Sequence, residues 1–146
     1  MAKILSMPRG GGQPNNLAYL PQSIALSNDG WFISQNANID THSETFAPLV
    51  LNVTGHLSAG ADNTASIIVD FTDFSTLAFD VDILGHSIIE IDGTILEQFG
   101  WNSTEQHYSR TYNVSSYTGN HTLKIHCEAY VSQQTGKVTV NGLSLG

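Results

Sequence analysis

The chain has 146 residues, a length that suits one domain built around a single core. Its 13 acidic residues outnumber its 5 basic residues, and the resulting formal charge of −8 disfavours binding to nucleic acid or to an anionic membrane surface. The single cysteine excludes an internal disulfide framework and a cysteine-based zinc cluster, and no apolar run is long enough for membrane insertion.

The first 30 residues differ in composition from the rest. Glycines at 10 to 12 and prolines at 8 and 14 leave no periodic apolar face, which is typical of a loop or a tail. The apolar stretch at the start is shorter than a secretory signal requires, so we expect no leader peptide. Two interpretations stay open: a first strand with a loose terminus, or an arm that orders against a partner subunit. The candidate arm residues are Pro8, Arg9, Leu17, Tyr19 and Leu20.

Residues 31–146 show apolar side chains at every second position, separated by turns. This period predicts strands with one buried and one wet face and no helix. The predicted strands are 31–35, 49–58, 64–71, 76–84, 86–91, 107–114, 121–132 and 136–145. Asp92-Gly93 predicts a type I′ hairpin turn, and Cys127 falls on an apolar face, so we expect it in the core. The predicted fold is all-β: an antiparallel two-sheet β-sandwich of jelly-roll type with an extended N-terminal arm.

Two carboxylates share the wet face of one predicted strand. Asp80 and Asp82 lie two residues apart, roughly 7 Å along the strand, a distance that a glycoside hydrolase could use. They project in parallel from one surface instead of facing each other across a cleft, which argues against catalysis. Two alternatives remain: a calcium site completed by loop oxygens, or a solvated acidic face that blocks edge pairing.

Sequence signatures of catalysis are absent. The six histidines show no two-residue spacing on one strand face, and the chain has neither a phosphate-binding glycine loop nor a Gly-x-Ser-x-Gly motif. We therefore expect no enzymatic activity and no cofactor, with calcium as the one ion to consider.

Aromatic residues gather near position 110. A sugar ring has an apolar face and a rim of hydroxyls, so glycan sites combine an aromatic platform with amide, carboxylate or guanidinium groups. Trp101 follows a glycine in a predicted loop, where a large ring can stay accessible. The alternative is that Tyr108 belongs to the core and Trp101 caps an edge of the sandwich. The candidate glycan-binding residues are Trp101, Tyr108, Arg110, His126 and Tyr130.

Several segments together resemble the second half of a galactose-binding-like jelly roll. They are the Phe79-Asp80 strand, the Ile91-Asp92-Gly93 hairpin, Trp101, the strand beginning at Gly119, and the closing strand 138–145. That superfamily includes many carbohydrate-binding modules and domains of phage tail and capsid-surface proteins. The resemblance implies a glycan-binding β-sandwich and covers roughly residues 76–146.

The resemblance and the arm together favour a non-enzymatic virion surface protein of the capsid-decoration, fibre or tail-adaptor kind. Its partners would be other virion subunits or copies of itself, with cell-surface or mucosal glycans as ligands. A free-standing, extracellular carbohydrate-binding lectin is the alternative, and a small glycan hydrolase is a more remote one. Fold analogy alone does not decide among them.

Overall fold

The computed structural model describes residues 22–55, 60–129 and 134–146. These residues form nine strands and no helix, and therefore no helix that could cross a membrane. The strands are β1 (Gln22–Ser23), β2 (Phe32–Gln35), β3 (Ile39–Thr45), β4 (Leu49–Gly55), β5 (Ala61–Asp70), β6 (Thr76–Ile91), β7 (Thr94–Asn113), β8 (Asn120–Ala129) and β9 (Thr135–Leu145).

All strand pairs are antiparallel, and they make two layers that share β6 and β7. The front sheet runs β2, β5, β8, residues 86–91 of β6 and residues 94–99 of β7. The back sheet runs β3, β4, β9, residues 76–84 of β6 and residues 106–113 of β7, with β1 paired to the end of β9. The long β6–β7 hairpin passes from one sheet to the other, and β4 packs against β5 and β8 across the interior. The jelly-roll sandwich predicted from the sequence is confirmed.

The core lies between the sheets and follows the predicted alternation. Each long strand turns alternate side chains inward, and the fully buried ones include Leu51, Ile67, Phe79, Leu123 and Leu145. Cys127 is buried among them, as predicted, and desolvation raises the pKa of its thiol. Asn63 is a fully buried polar residue: its amide donates a 3.0 Å hydrogen bond to the backbone oxygen of Asn52 and so joins the two sheets.

The strand pattern differs from the prediction at three places. β3 was not predicted, because an edge strand bonded to β4 alone carries mostly exposed polar residues and shows no apolar alternation. Two predicted strands are one strand, β6, in which Gly85 at φ +85° carries the bend between the sheets. β7 extends through residues 97–106, whose polar composition had indicated a loop. The Asp92-Gly93 turn is confirmed, with φ values of 50° and 84°.

Candidate functional site

The outer face of the front sheet carries a row of side chains that crosses five strands. Register pairs Phe32 with Ser66, Ser66 with Lys124, Lys124 with Glu90, and Glu90 with Ile95. Residues paired in this way project from the same face of a sheet. We call these five residues the front row, and at ordinary strand spacing it is roughly 19 Å long.

Exposed apolar side chains concentrate on this face. Among the described residues, the exposed large hydrophobic side chains are Phe32 at 68%, Ile95 at 52%, and Ile68 and Trp101 at 39% each. The first two end the front row, and Ile68 lies beside it on β5. A soluble protein exposes single apolar residues freely, but a group on one sheet face flanking charged residues is typical of a binding surface.

Two shallow hollows flank Thr122 on the same face. One has a volume of about 250 Å³ and is lined by Phe32, Ser66 and Ile68 together with Thr122. The other has a volume of about 280 Å³ and is lined by charged groups, namely Glu90, Asp92 and Lys124, together with Gly93 and Thr122. An apolar hollow therefore adjoins a charged one along the front row.

His126, a sequence-predicted site residue, lies on this face next to the row. Its Nδ1 is 2.8 Å from Oδ2 of Asp62, and its Nε2 is 3.4 Å from Oε2 of Glu90. Burial of the ring lowers the pKa of His126, but the Asp62 hydrogen bond and the charges of Asp62, Glu90 and Glu128 outweigh it, so the pKa lies above its ordinary value. The imidazole of β8 is thus hydrogen-bonded to Asp62 of β5, while its buried Nε2 lies near Glu90 of β6 without a hydrogen bond.

A second histidine, His86, lies where β6 enters the front sheet. His86 is nearly buried, its Nδ1 lies 2.7 Å from Oε1 of Glu128, and its Nε2 lies 2.9 Å from Nε2 of Gln98. Donation from Nδ1 to Glu128 and acceptance from the Gln98 amide at Nε2 satisfy both ring nitrogens. The front face therefore presents polar groups whose orientations are already set by the protein.

Trp101 lies in β7, so its predicted placement in a loop is wrong. The indole covers Gly85: a Cβ built on that glycine would be 2.8 Å from Cζ3 of the ring and 3.2 Å from the Thr135 oxygen. The bulge at this point of the β6–β7 pairing makes the room that the indole occupies. The ring is partly exposed and lies where β6 crosses between the sheets.

Tyr108 and Arg110 lie on the side of β7 that covers the edge of the sandwich between the two sheets. The Tyr108 ring is 4.6 Å from that of buried Phe99, centroid to centroid. Nε of Arg110 donates to both carboxylate oxygens of Glu97 at 3.2 Å, and its Cζ lies 5.0 Å from the Tyr108 ring centroid. The side chains of these two sequence-predicted residues therefore contact other residues of the protein. The intervening strands separate them from His126.

Asp80 and Asp82 lie on the outer face of the back sheet. A third side chain occupies the space between them: Nε2 of His107 is 2.8 Å from Asp80 and its Nδ1 is 2.8 Å from Asp82. Asn141 donates to the other oxygen of Asp82 at 2.8 Å. Within the described ranges no group of three or more His, Cys, Asp or Glu side chains is arranged to hold a metal ion, and calcium binding here stays a prediction.

The remaining sequence-predicted residues fall outside the described ranges. They are Tyr130 of the glycan set and the five arm residues, Pro8, Arg9, Leu17, Tyr19 and Leu20. Sequence reasoning missed Phe32, Ile95 and Lys124. A signal for such a face was present at Ile68, an aliphatic residue on the otherwise polar side of its strand.

Solved structures show what this fold is similar to. A variant of a family 29 carbohydrate-binding module has a TM-score of 0.54 at 9% identity, over 86% of this chain and 91% of that one. Another variant of that module, complexed with mannohexaose, has a TM-score of 0.52 at 10% identity, over 86% and 89%. The enzymatically active domain of tailspike protein 4 from bacteriophage CBA120 has a TM-score of 0.51 at 11% identity. There the match covers 81% of this chain and 20% of that one.

Sequence comparison adds no relative. No protein-family model matches the chain, and no curated protein matches it either. At these identities the structural likeness establishes the fold, a jelly-roll sandwich of the kind found in carbohydrate-binding modules.

Proposed function

We propose that this protein is a non-catalytic carbohydrate-binding β-sandwich whose front row contacts the sugar chain. The observation that carries the proposal is the composition of that row: exposed apolar groups, Phe32 and Ile95, at its ends and fixed polar groups, Lys124 and Glu90, between them. An aromatic ring packs against the apolar C–H face of a pyranose, and neighbouring polar groups bind its hydroxyls.

The front row offers both kinds of hydrogen-bond partner that a hydroxyl needs. The ammonium of Lys124 donates, the carboxylate of Glu90 accepts, and the hydroxyl of Ser66 does either. Because the Glu90 side chain is mostly buried and lies within ion-pair distance of His126 and Lys124, little side-chain entropy is lost when a ligand binds. The row is long enough for several linked hexoses.

The fold supports the same proposal. The family 29 module that shares it is a carbohydrate-binding module, and one of its structures contains mannohexaose. Catalysis has no comparable support, since the carboxylates of the front face project from one open surface and pair with Lys124 or histidine. We expect binding without release of reducing ends.

The test is calorimetric titration of the full chain with linear hexa-saccharides, chosen after a glycan-array screen. Phe32→Ala should weaken binding roughly tenfold, equivalent to about 1.4 kcal/mol. Trp101→Ala is the matched control, because it removes the other exposed aromatic ring of the described residues and lies outside the front row. Loss of binding in the Trp101 variant with retention in the Phe32 variant would move the site to the sequence-predicted position.

We also propose that the module is displayed on a virion, as a decoration, fibre or tail-adaptor subunit that assembles with itself or with other subunits. The likeness to a domain of a phage tailspike and the Gly/Pro-rich first 30 residues support this placement. Mass spectrometry of purified particles tests it: the protein should be present at a fixed stoichiometry. Secretion as a free lectin would instead leave it in the particle-free medium.

A further inference from the structure

We propose that the front row selects uncharged sugar chains and rejects chains that carry carboxylate or sulfate groups. This inference rests on the proposed function and names the ligand class of the same surface. Its basis is the charge pattern of the front face: among the described residues, four carboxylates, those of Asp62, Glu90, Asp92 and Glu128, share this face with one lysine, Lys124.

The cation of the row is already paired. Nζ of Lys124 lies 3.8 Å from Oε1 of Glu90, and the Glu90 side chain is only 16% exposed. An anionic ligand that paired with Lys124 would take this partner from the partly buried Glu90. It would also place a second negative charge beside the Glu90 carboxylate. Removing the partner of a partly buried ion costs more than the exposed pair contributes.

The histidines do not supply a spare positive charge. His126 is engaged with Asp62 and lies against Glu90, and His86 donates to Glu128. Asp92 stays ionised, because a hydrogen bond from the Thr122 backbone and another from His121 hold its pKa below the ordinary value. Even with His86, His121 and His126 all protonated, these three charges and that of Lys124 would only balance the four carboxylates, so none is left over for an anionic ligand.

A neutral sugar meets no such obstacle. Its hydroxyls donate to Glu90 or accept from Lys124 while the two side chains keep their pairing, since each has hydrogen-bonding capacity beyond that contact. A uronate carboxyl at the same position repels Glu90 and Asp92 at short range, where salt screens partly buried charges weakly. The net charge of −8 acts in the same direction during approach.

The experiment compares linear hexa-saccharides with their uronate counterparts, oxidised at the C6 carbon of each ring. Mannohexaose is paired with hexamannuronate, and the gluco and galacto pairs are treated in the same way, each titrated calorimetrically into the full chain at low and high salt. At least one neutral chain should bind with an affinity that salt hardly changes, and its uronate partner should bind at least tenfold more weakly.

A charge-neutralising variant sharpens the test. Glu90→Gln should raise the affinity for the uronate relative to its neutral partner at least threefold. Asp80→Asn, which removes the same charge from the back sheet, should leave that ratio unchanged. Equal binding of both members of a pair, or tighter binding of the uronate, overturns this inference and leaves the proposed function standing. Absence of binding to every chain overturns the proposed function itself.

Discussion

Both outer faces of the sandwich carry acidic groups, but they use them differently. On the back face, Asp80, Asp82, His107 and Asn141 satisfy one another, and no large apolar side chain of the described residues is exposed beside them. On the front face, the paired charges lie between exposed apolar groups, Phe32 and Ile95 among them. A polar cluster alone is therefore an ordinary wet surface, and exposed apolar side chains beside the charges distinguish the proposed binding face.

The largest expected effect on stability comes from disturbing the close contact between β8 of the front sheet and β9 of the back sheet. A Cβ on Gly136 in β9 would lie 2.5 Å from the backbone oxygen of Glu128 in β8, which cannot move without disturbing the front sheet. Gly136→Ala should lower the free energy of unfolding by about 2–3 kcal/mol in a denaturant titration. Gly100→Ala is the control, since nothing lies within 4 Å of its Cβ. Similar losses in both variants would contradict the assigned packing.

The next prediction separates the faces by their lysines. Lys124 lies in the front row, and Lys137 lies on the back sheet, paired in register with Leu84 and Asn52. Lys124→Ala should weaken binding of a neutral hexa-saccharide about fivefold, or about 1 kcal/mol, because a donor to the hydroxyls is lost. Lys137→Ala should leave the dissociation constant unchanged. An effect of the same size from both lysines would indicate general electrostatics and exclude a localised front site.

The contrast between the faces also shows how much of the structure can be predicted from the sequence. The alternation of apolar residues predicts the strands and the inward set, and it places Asp80 and Asp82 on one wet face. It does not say which strands are neighbours, so it cannot bring Phe32 of β2 and Lys124 of β8 into one row. That information lies in long-range register, which the local period does not contain.

β7 shows a second limit of sequence reasoning. Trp101 and the polar residues around it lack the alternation of a half-buried strand, and yet they belong to β7, which pairs with β6 on both sides of the bend at Gly85. The cluster of aromatic residues near position 110 is real, but Tyr108 stacks on Phe99 and closes the edge of the sandwich. Closeness in sequence therefore led to the wrong expectation that these rings share one surface with His126.

A smaller effect is expected from pH on the front face. The pKa of His126 lies above its ordinary value of 6.5, so the folded protein binds the proton of this ring more tightly than the unfolded chain does. Its contribution to stability is full below pH 6.5 and is lost as the pH rises through the folded pKa. The free energy of unfolding should therefore decrease over that window, and His126→Asn should flatten the decrease. An unchanged slope in this variant would assign the effect to another group.

The smallest effect is expected on the back face, where the groups are exposed and stability should hardly change. There the hydrogen bond from Asn141 is the main cause that lowers the pKa of Asp82, and the bond from His107 is the second. Asn141→Ala should therefore raise the pKa of Asp82 more than His107→Gln does, as followed by carboxyl carbon shifts in NMR. The opposite order would make the imidazole the principal partner. In either variant the binding of sugar should stay as it was, because the back cluster satisfies itself and lies on the face opposite the proposed binding row.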